Sequence, residues 1–226
     1  MTPRFGQTRG RGLLLLAALT LGGGAAAGCG SEEALKRSDG YYREGMASLD
    51  KDRQKAFVSF QKAIQENPKH RDAHYYTGHI YAEQRKYPLA EAEFRETLRI
   101  DPNFSEAYNY LGTVLTQEDR WQEAIAAYRQ ALSNPLYATP DVARVNLGLA
   151  LVHQGDMQGA AEAFEDALLV SPPNVPPAQV SLELGRAYYR LGYDAKAREL
   201  LTRVATQDKS GQYALEADRL LERLKP

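Results

Sequence analysis

Reactive side chains are few in this chain of 226 residues. It carries four histidines, His70, His74, His79 and His153, and one cysteine, Cys29. His70 and His74 are spaced i, i+4, so on a helix they would share a face and could hold a divalent metal together. No carboxylate or third ligand stands at a supporting spacing, and histidines so placed fit packing or a groove wall. No glycine-rich phosphate loop follows a strand pattern, and the Gly22-Gly23-Gly24 run lies in an apolar N-terminal stretch. Serines fall at turns and helix starts, without a neighbouring base. The acids Glu32-Glu33 and Glu91/Glu96 read as solvated surface. A lone cysteine excludes an internal disulfide and a cysteine-based metal site. The formal net charge of −1 is no nucleic-acid footprint. The sequence therefore predicts no catalytic residue, no metal and no cofactor. What remains to carry function is a surface.

The N-terminus predicts a targeting segment over residues 1–28. Arg4, Arg9 and Arg11 form a positive region without acids, and Leu13 to Leu21 is apolar but too short to span a bilayer of about 30 Å. Ala26-Ala27-Gly28-Cys29 resembles a bacterial lipobox, which implies cleavage before Cys29 and a covalent lipid on it; the alternative is an ordinary secretory signal. Gly30, where retention in the inner membrane usually needs Asp, implies the outer membrane, facing the periplasm. Removing three arginines and no acid takes the charge from −1 to −4. Attachment would then rest on the lipid, each buried CH₂ adding about 0.8 kcal/mol. Residues 29–37 are expected to form the lipidated cysteine and a short tether, and 38–226 a helical domain.

The elements that must present a surface show as a repeat. In Tyr108 to Pro135 a large aromatic is followed by Leu111-Gly112 and Leu115, then by Ala124, Tyr128, Ala131 and a proline. Small residues let two helices approach closely while large ones fill the space between hairpins. The pattern resembles the tetratricopeptide repeat (TPR), with Tyr for Trp, Leu for Tyr and Tyr for Phe. Ala56, Ala90, Ala124, Ala160 and Ala197 mark five copies, at steps of 34, 34, 36 and 37 residues. The two longer steps contain Pro135–Pro140 and Pro172–Pro177, the latter expected to be extended and stiff. A last helix, Gln212 to about Leu224, puts Tyr213, Ala217, Leu220, Leu221 and Leu224 on one face, as a cap needs. The expected fold is all-α: a right-handed TPR superhelix of about five repeats plus a C-terminal capping helix, about eleven helices in all.

In such a stack the first helix of each hairpin lines the concave side. Its inward positions include Tyr75 and His79 in the second repeat, Asn109 in the third, Val145, Leu149 and Val152 in the fourth, and Leu182 and Tyr189 in the fifth. These eight are assigned to a protein-binding groove with a polar end at Tyr75, His79 and Asn109. An apolar strip there would mark a peptide site; burial of the same residues against the next repeat stays open as the alternative. Tyr75 and His79 stand where a Lys/Asn clamp for a terminal carboxylate would begin, so that ligand class is not expected.

The stretch ALSNPLYATPDVARVNLGLALVHQGDMQGAAEAFEDALLVSPPNVPPAQVSLELGRAYYRLGYDAKARELL is similar to the pilotin lipoproteins of type IV pilus systems. The likeness lies in the inserted Leu136-Tyr137 and Pro140, in Asn146-Leu147-Gly148-Leu149 and in the lengthened step before the fifth repeat. It implies a lipid-anchored protein of the outer membrane that binds monomers of a secretin and promotes their localisation and assembly. Where that family carries a sixth full repeat, only one helix of it is expected here. A different envelope lipoprotein, an adaptor for a cell-wall or proteolytic enzyme, is the other reading.

Overall fold

Eleven α-helices and their connections make up residues 24–208 and 211–224, which a computed structural model describes. They are α1 (Gly24–Ser48), α2 (Arg53–Glu66), α3 (Arg71–Glu83), α4 (Tyr87–Ile100), α5 (Ser105–Gln117), α6 (Trp121–Leu132), α7 (Pro140–Gln154), α8 (Met157–Leu168), α9 (Pro177–Arg190), α10 (Asp194–Gln207) and α11 (Gln212–Arg223). Residues 1–23 of the expected targeting segment lie outside the described residues, as does the side chain of Cys29. The stretch 29–37, expected as a tether, is part of α1.

Local signals set the helix starts. Asp52 accepts a hydrogen bond from the Lys55 amide at 2.9 Å, and Asp156 one from the Gly159 amide at 2.9 Å, each satisfying an orphan donor of the first turn. Pro88, Pro140 and Pro177 occupy the first turns of α4, α7 and α9, where a missing N–H costs nothing. The four tight turns inside the later hairpins each use one residue at positive φ: Arg85 (58°), Asp119 (59°), Gly155 (84°) and Gly192 (75°). Two of these are not glycine, and each carries a cost of about 1–2 kcal/mol that the packing on either side holds in place.

Each odd helix packs on the next even one through a glycine seam. A Cβ built on Gly45, Gly112 or Gly148 would lie 2.5 Å from a ring carbon of Phe60, Tyr128 or Phe164; on Gly78 it would meet Phe94 at 3.0 Å, and on Gly185 it would meet Leu201 at 2.8 Å. The partners are nearly fully buried, contributing roughly 1.5–3 kcal/mol each. Glycine is therefore required for closeness rather than for backbone freedom. From α4 onward the hairpins share one continuous apolar core, reaching Ala217 and Leu224 of the capping helix.

Long-range polar pairs brace the stack, Arg37–Glu66 and Arg71–Asp101 within a hairpin, Arg53–Glu83 and Arg120–Glu91 between hairpins. Arg37–Glu66 (2.8 Å), Arg53–Glu83 (2.9 Å), Arg71–Asp101 (2.7 Å) and Arg120–Glu91 (2.6 Å) span about the same sequence separation. They are partly exposed and serve register more than stability.

The later half adds a buried latch. The first insertion turns back on itself: Tyr137 packs with Ala131 and Ala143, and Pro140 opens α7. Beside it Asp141, 1% exposed, accepts hydrogen bonds from the Asn174 amide (2.5 Å), the Asn174 side chain (2.9 Å) and the Val175 amide (2.9 Å). The second insertion, expected to be extended and stiff, is instead bent: residues 170–176 leave the helix and bend at Ser171-Pro172 and at Asn174-Val175. One carboxylate thus fastens the two places where the repeat departs from its 34-residue step.

Candidate functional site

Beyond the sequential contacts, α3 touches α5, α5 touches α7, and α9 touches α11. The odd helices therefore form the inner wall, the side on which a curved stack brings successive hairpins closest. The eight assigned residues all belong to this layer, but they divide by depth.

Val145 (4% exposed) and Leu182 (2% exposed) are core residues, and Asn109 is buried as well. Their expected place in an open groove gives way to inter-repeat packing. Both valine and leucine join the apolar core, while Asn109 Oδ1 accepts a hydrogen bond from the Asn146 side chain at 3.0 Å across α5 and α7. Periodicity puts such positions on the inner helix but cannot say how far the next hairpin covers them. Leu149 (41% exposed) and Tyr189 (36% exposed) remain on the surface, with Val152 half-buried behind them.

Tyr75 and His79 form an aromatic patch rather than loose polar contacts. Tyr75 packs on Phe104 (ring centroids 5.0 Å apart), Tyr76 (5.1 Å) and Tyr110 (5.7 Å). His79 Nε2 meets the Tyr110 hydroxyl at 3.2 Å. Burial holds the His79 imidazole below its ordinary pKa, with Arg53 acting the same way and Glu83 opposing. The same burial pushes the Tyr75 and Tyr110 hydroxyls up. The patch is thus neutral at pH 7 and suited to apolar or hydrogen-bonding groups.

His70 and His74 are spent separately. His70 Nδ1 accepts from the Ala73 amide at 3.2 Å as a helix cap. His74 Nδ1 lies 2.6 Å from Glu93 and its Nε2 lies 3.1 Å from the Pro68 carbonyl. Burial opposes the His74 charge, but these hydrogen bonds and the Glu93 carboxylate outweigh it and raise its pKa. An imidazolium donating from both nitrogens satisfies both acceptors.

Of the insertion residues, Tyr137 is buried and structural, whereas Leu136 is exposed. The sequence reading missed Asp141 and Asn174, because a carboxylate in a first helical turn looks like an ordinary dipole contact. Arg186, an inward position of the fifth repeat by its spacing, is joined at the end of the inner wall by the arginines of α11. Positions equivalent to His79 and Thr113 run on as Leu149, Arg186 and Arg219, at the repeat steps of 34, 36, 37 and 33 residues. The wall passes from aromatic to hydroxyl to apolar to guanidinium chemistry.

The tetratricopeptide repeat family pattern matches residues 58–103, 83–142, 111–178 and 145–214. Among solved structures, the chain is similar to PilF of Pseudomonas aeruginosa, with 25% identity and a TM-score of 0.66 over 87% of this chain and 94% of that one. It is similar to PilW, described as a widely conserved type IV pilus biogenesis factor, with 23% identity and a TM-score of 0.63 over 82% and 92% of the two chains. It is also similar to YrrB, described as a TPR protein with an unusual peptide-binding site, with 21% identity and a TM-score of 0.68 over 87% and 98%. No curated protein matches the chain. With family matches running from 58 to 214 and five hairpins closed on the same small-residue seam, the chain belongs to the tetratricopeptide-repeat family.

Proposed function

We infer that this TPR protein is a pilotin: a lipoprotein of the outer membrane, anchored through Cys29, that binds secretin subunits and promotes their localisation and assembly into the multimer for type IV pilus biogenesis and twitching or social motility. The observation that carries this reading is the similarity to PilF, which extends over 94% of that chain and so concerns the whole array rather than one repeat. The inner wall supports a role in binding. Leu149, Val152 and Tyr189 offer apolar surface on the same inner wall as the neutral aromatic patch at Tyr75 and His79, with α5 between them. The action needs no cofactor beyond the lipid on Cys29 and no catalytic step. A lipid anchor raises the local concentration of bound subunits at the membrane, which favours multimer formation without new contacts among them.

Leu149 is the residue to test, because it is exposed and its loss creates no cavity. Leu149→Glu is expected to keep the melting temperature while cutting heat-resistant secretin multimer to a tenth or less, on the order of a hot-spot loss. Normal multimer from a stably folded Leu149→Glu protein would remove the inner wall from the binding assignment. Cys29→Ala is expected to leave soluble protein that fails to restore multimer at the outer membrane.

A further inference from the structure

At the C-terminal end of the inner wall, α9 and the capping helix α11 leave a cleft of about 440 Å³ between them. Four arginines line it, Arg186 and Arg190 on α9 and Arg219 and Arg223 on α11, together with Tyr189, Leu220 and one carboxylate, Glu216, so the lining is basic by four charges to one. Both pairs are spaced i, i+4, and Arg186/Arg219 and Arg190/Arg223 occupy equivalent positions one repeat apart. The two helices thus turn matching rungs of positive charge toward one cleft. Like charges at i, i+4 work against a helix, so the arrangement is unfavourable for folding alone.

Only part of that charge is answered. Arg186 pairs with Glu183 at 2.9 Å and with Glu216. Arg190 has no carboxylate partner among the described residues and donates to the Met157 sulfur at 3.8 Å. Arg219 and Arg223 have no carboxylate partner among the described residues. The helix dipole accounts for a cation in the last turn, which covers Arg190 and Arg223. It does not account for Arg186 and Arg219, one turn earlier. The chain as a whole is slightly acidic, so the cluster is not a by-product of a basic protein. Arginine is suited to carboxylates because its planar fork donates two parallel hydrogen bonds.

We propose that this cleft docks an acidic segment of a partner protein, an extended peptide whose carboxylates sit between the two arginine pairs and whose preceding apolar residue rests on Leu149, Val152 and Tyr189. The order follows the wall itself, apolar at α7 and basic from α9 to α11. A peptide is favoured over a lipid headgroup because the cleft lies at the last hairpin, at the opposite end of the stack from α1, which contains Cys29. The proposal rests on the inner wall being a partner-binding surface, and it holds whether or not the partner is a secretin.

The test uses the purified protein and a labelled peptide with a leucine pair followed by a run of glutamates, compared with the same peptide carrying glutamines. Fluorescence anisotropy should show the glutamate peptide binding about tenfold or more tightly, with affinity falling as salt rises. Arg219→Glu with Arg223→Glu should abolish that preference at unchanged helix content. If charge reversal impairs folding, Arg219→Gln with Arg223→Gln should weaken binding about tenfold in a protein of normal melting temperature. Equal binding of the two peptides, or a preference untouched by either double variant, overturns the proposal. So does binding to phosphatidylglycerol vesicles without binding to the glutamate peptide. A secretin multimer that forms normally without this protein would defeat the pilotin reading and leave this result unaffected.

Discussion

Asp141→Ala is expected to lower the unfolding free energy by about 3 kcal/mol. The carboxylate is buried and accepts from the Asn174 amide, the Asn174 side chain and the Val175 amide. Hydrogen bonds to a charged group contribute about 1.5–3 kcal/mol each, and removing the acceptor leaves two backbone amides short of a partner. Asn174→Ala removes only the side-chain donor, so its expected cost is about 1 kcal/mol. Urea unfolding of the two variants, with amide exchange over residues 170–176, measures both effects. Equal stability of Asp141→Ala and the parent protein would mean that the insertions hold without the latch. Its pH dependence has a definite sign. Burial opposes the charge, but the Asn174 and Val175 hydrogen bonds outweigh it and hold Asp141 below the usual value of 3.8. The stabilisation is therefore complete above that value and is lost as the pH falls through the lower, folded-state value. The gap between the parent and Asp141→Asn should be constant near neutrality and shrink only in strong acid.

Gly112→Ala and Gly40→Ala should move stability in opposite directions. Both glycines lie inside helices, where alanine is intrinsically better by about 0.5–1 kcal/mol. At Gly40 nothing lies within 4 Å of the added Cβ, so the gain should appear as a higher melting temperature. At Gly112 the Cβ would meet Tyr128 Cε1 at 2.5 Å and Cδ1 at 2.7 Å. Tyr128 is itself buried between α6 and its neighbours, so relief requires the helices to separate. Overpacking of this kind costs about 1–3 kcal/mol, and the net expectation is a loss of about 2 kcal/mol. Paired thermal melts decide it. A stabilised Gly112→Ala protein would show that the seam closes on something other than the glycine–aromatic contact.

The repeat was legible because its signal is redundant. Ala124 and Tyr128 recur at the same steps, with Leu201 for the last aromatic, Gly112 recurs at steps one residue shorter only at the start, and the structure finds each glycine against its large partner. The capping helix was legible too, since Ala217 and Leu224 lie on the buried face that its spacing defined. The extent of α1 was not. Its hairpin with α2 begins in the helix well before Tyr42, where no repeat position marks a start. Depth on the inner wall was the other hidden quantity. Val145 and Leu149 share a helix face, yet one is core and the other surface. The difference is set by the next hairpin, whose approach depends on the insertions and on Asp141. The arginine cleft was half legible: spacing puts Arg186 on the inner face of α9, but Arg219 and Arg223 each alone read as solvated helix residues.

The central claim is that this repeat protein, anchored in the outer membrane, promotes secretin assembly. Deleting its gene and blotting unboiled membranes for heat-resistant secretin tests it most directly. The account predicts loss of the multimer with monomer still present, restored by the parent gene and not by Cys29→Ala. Normal multimer and normal pili in the deletion strain would contradict it.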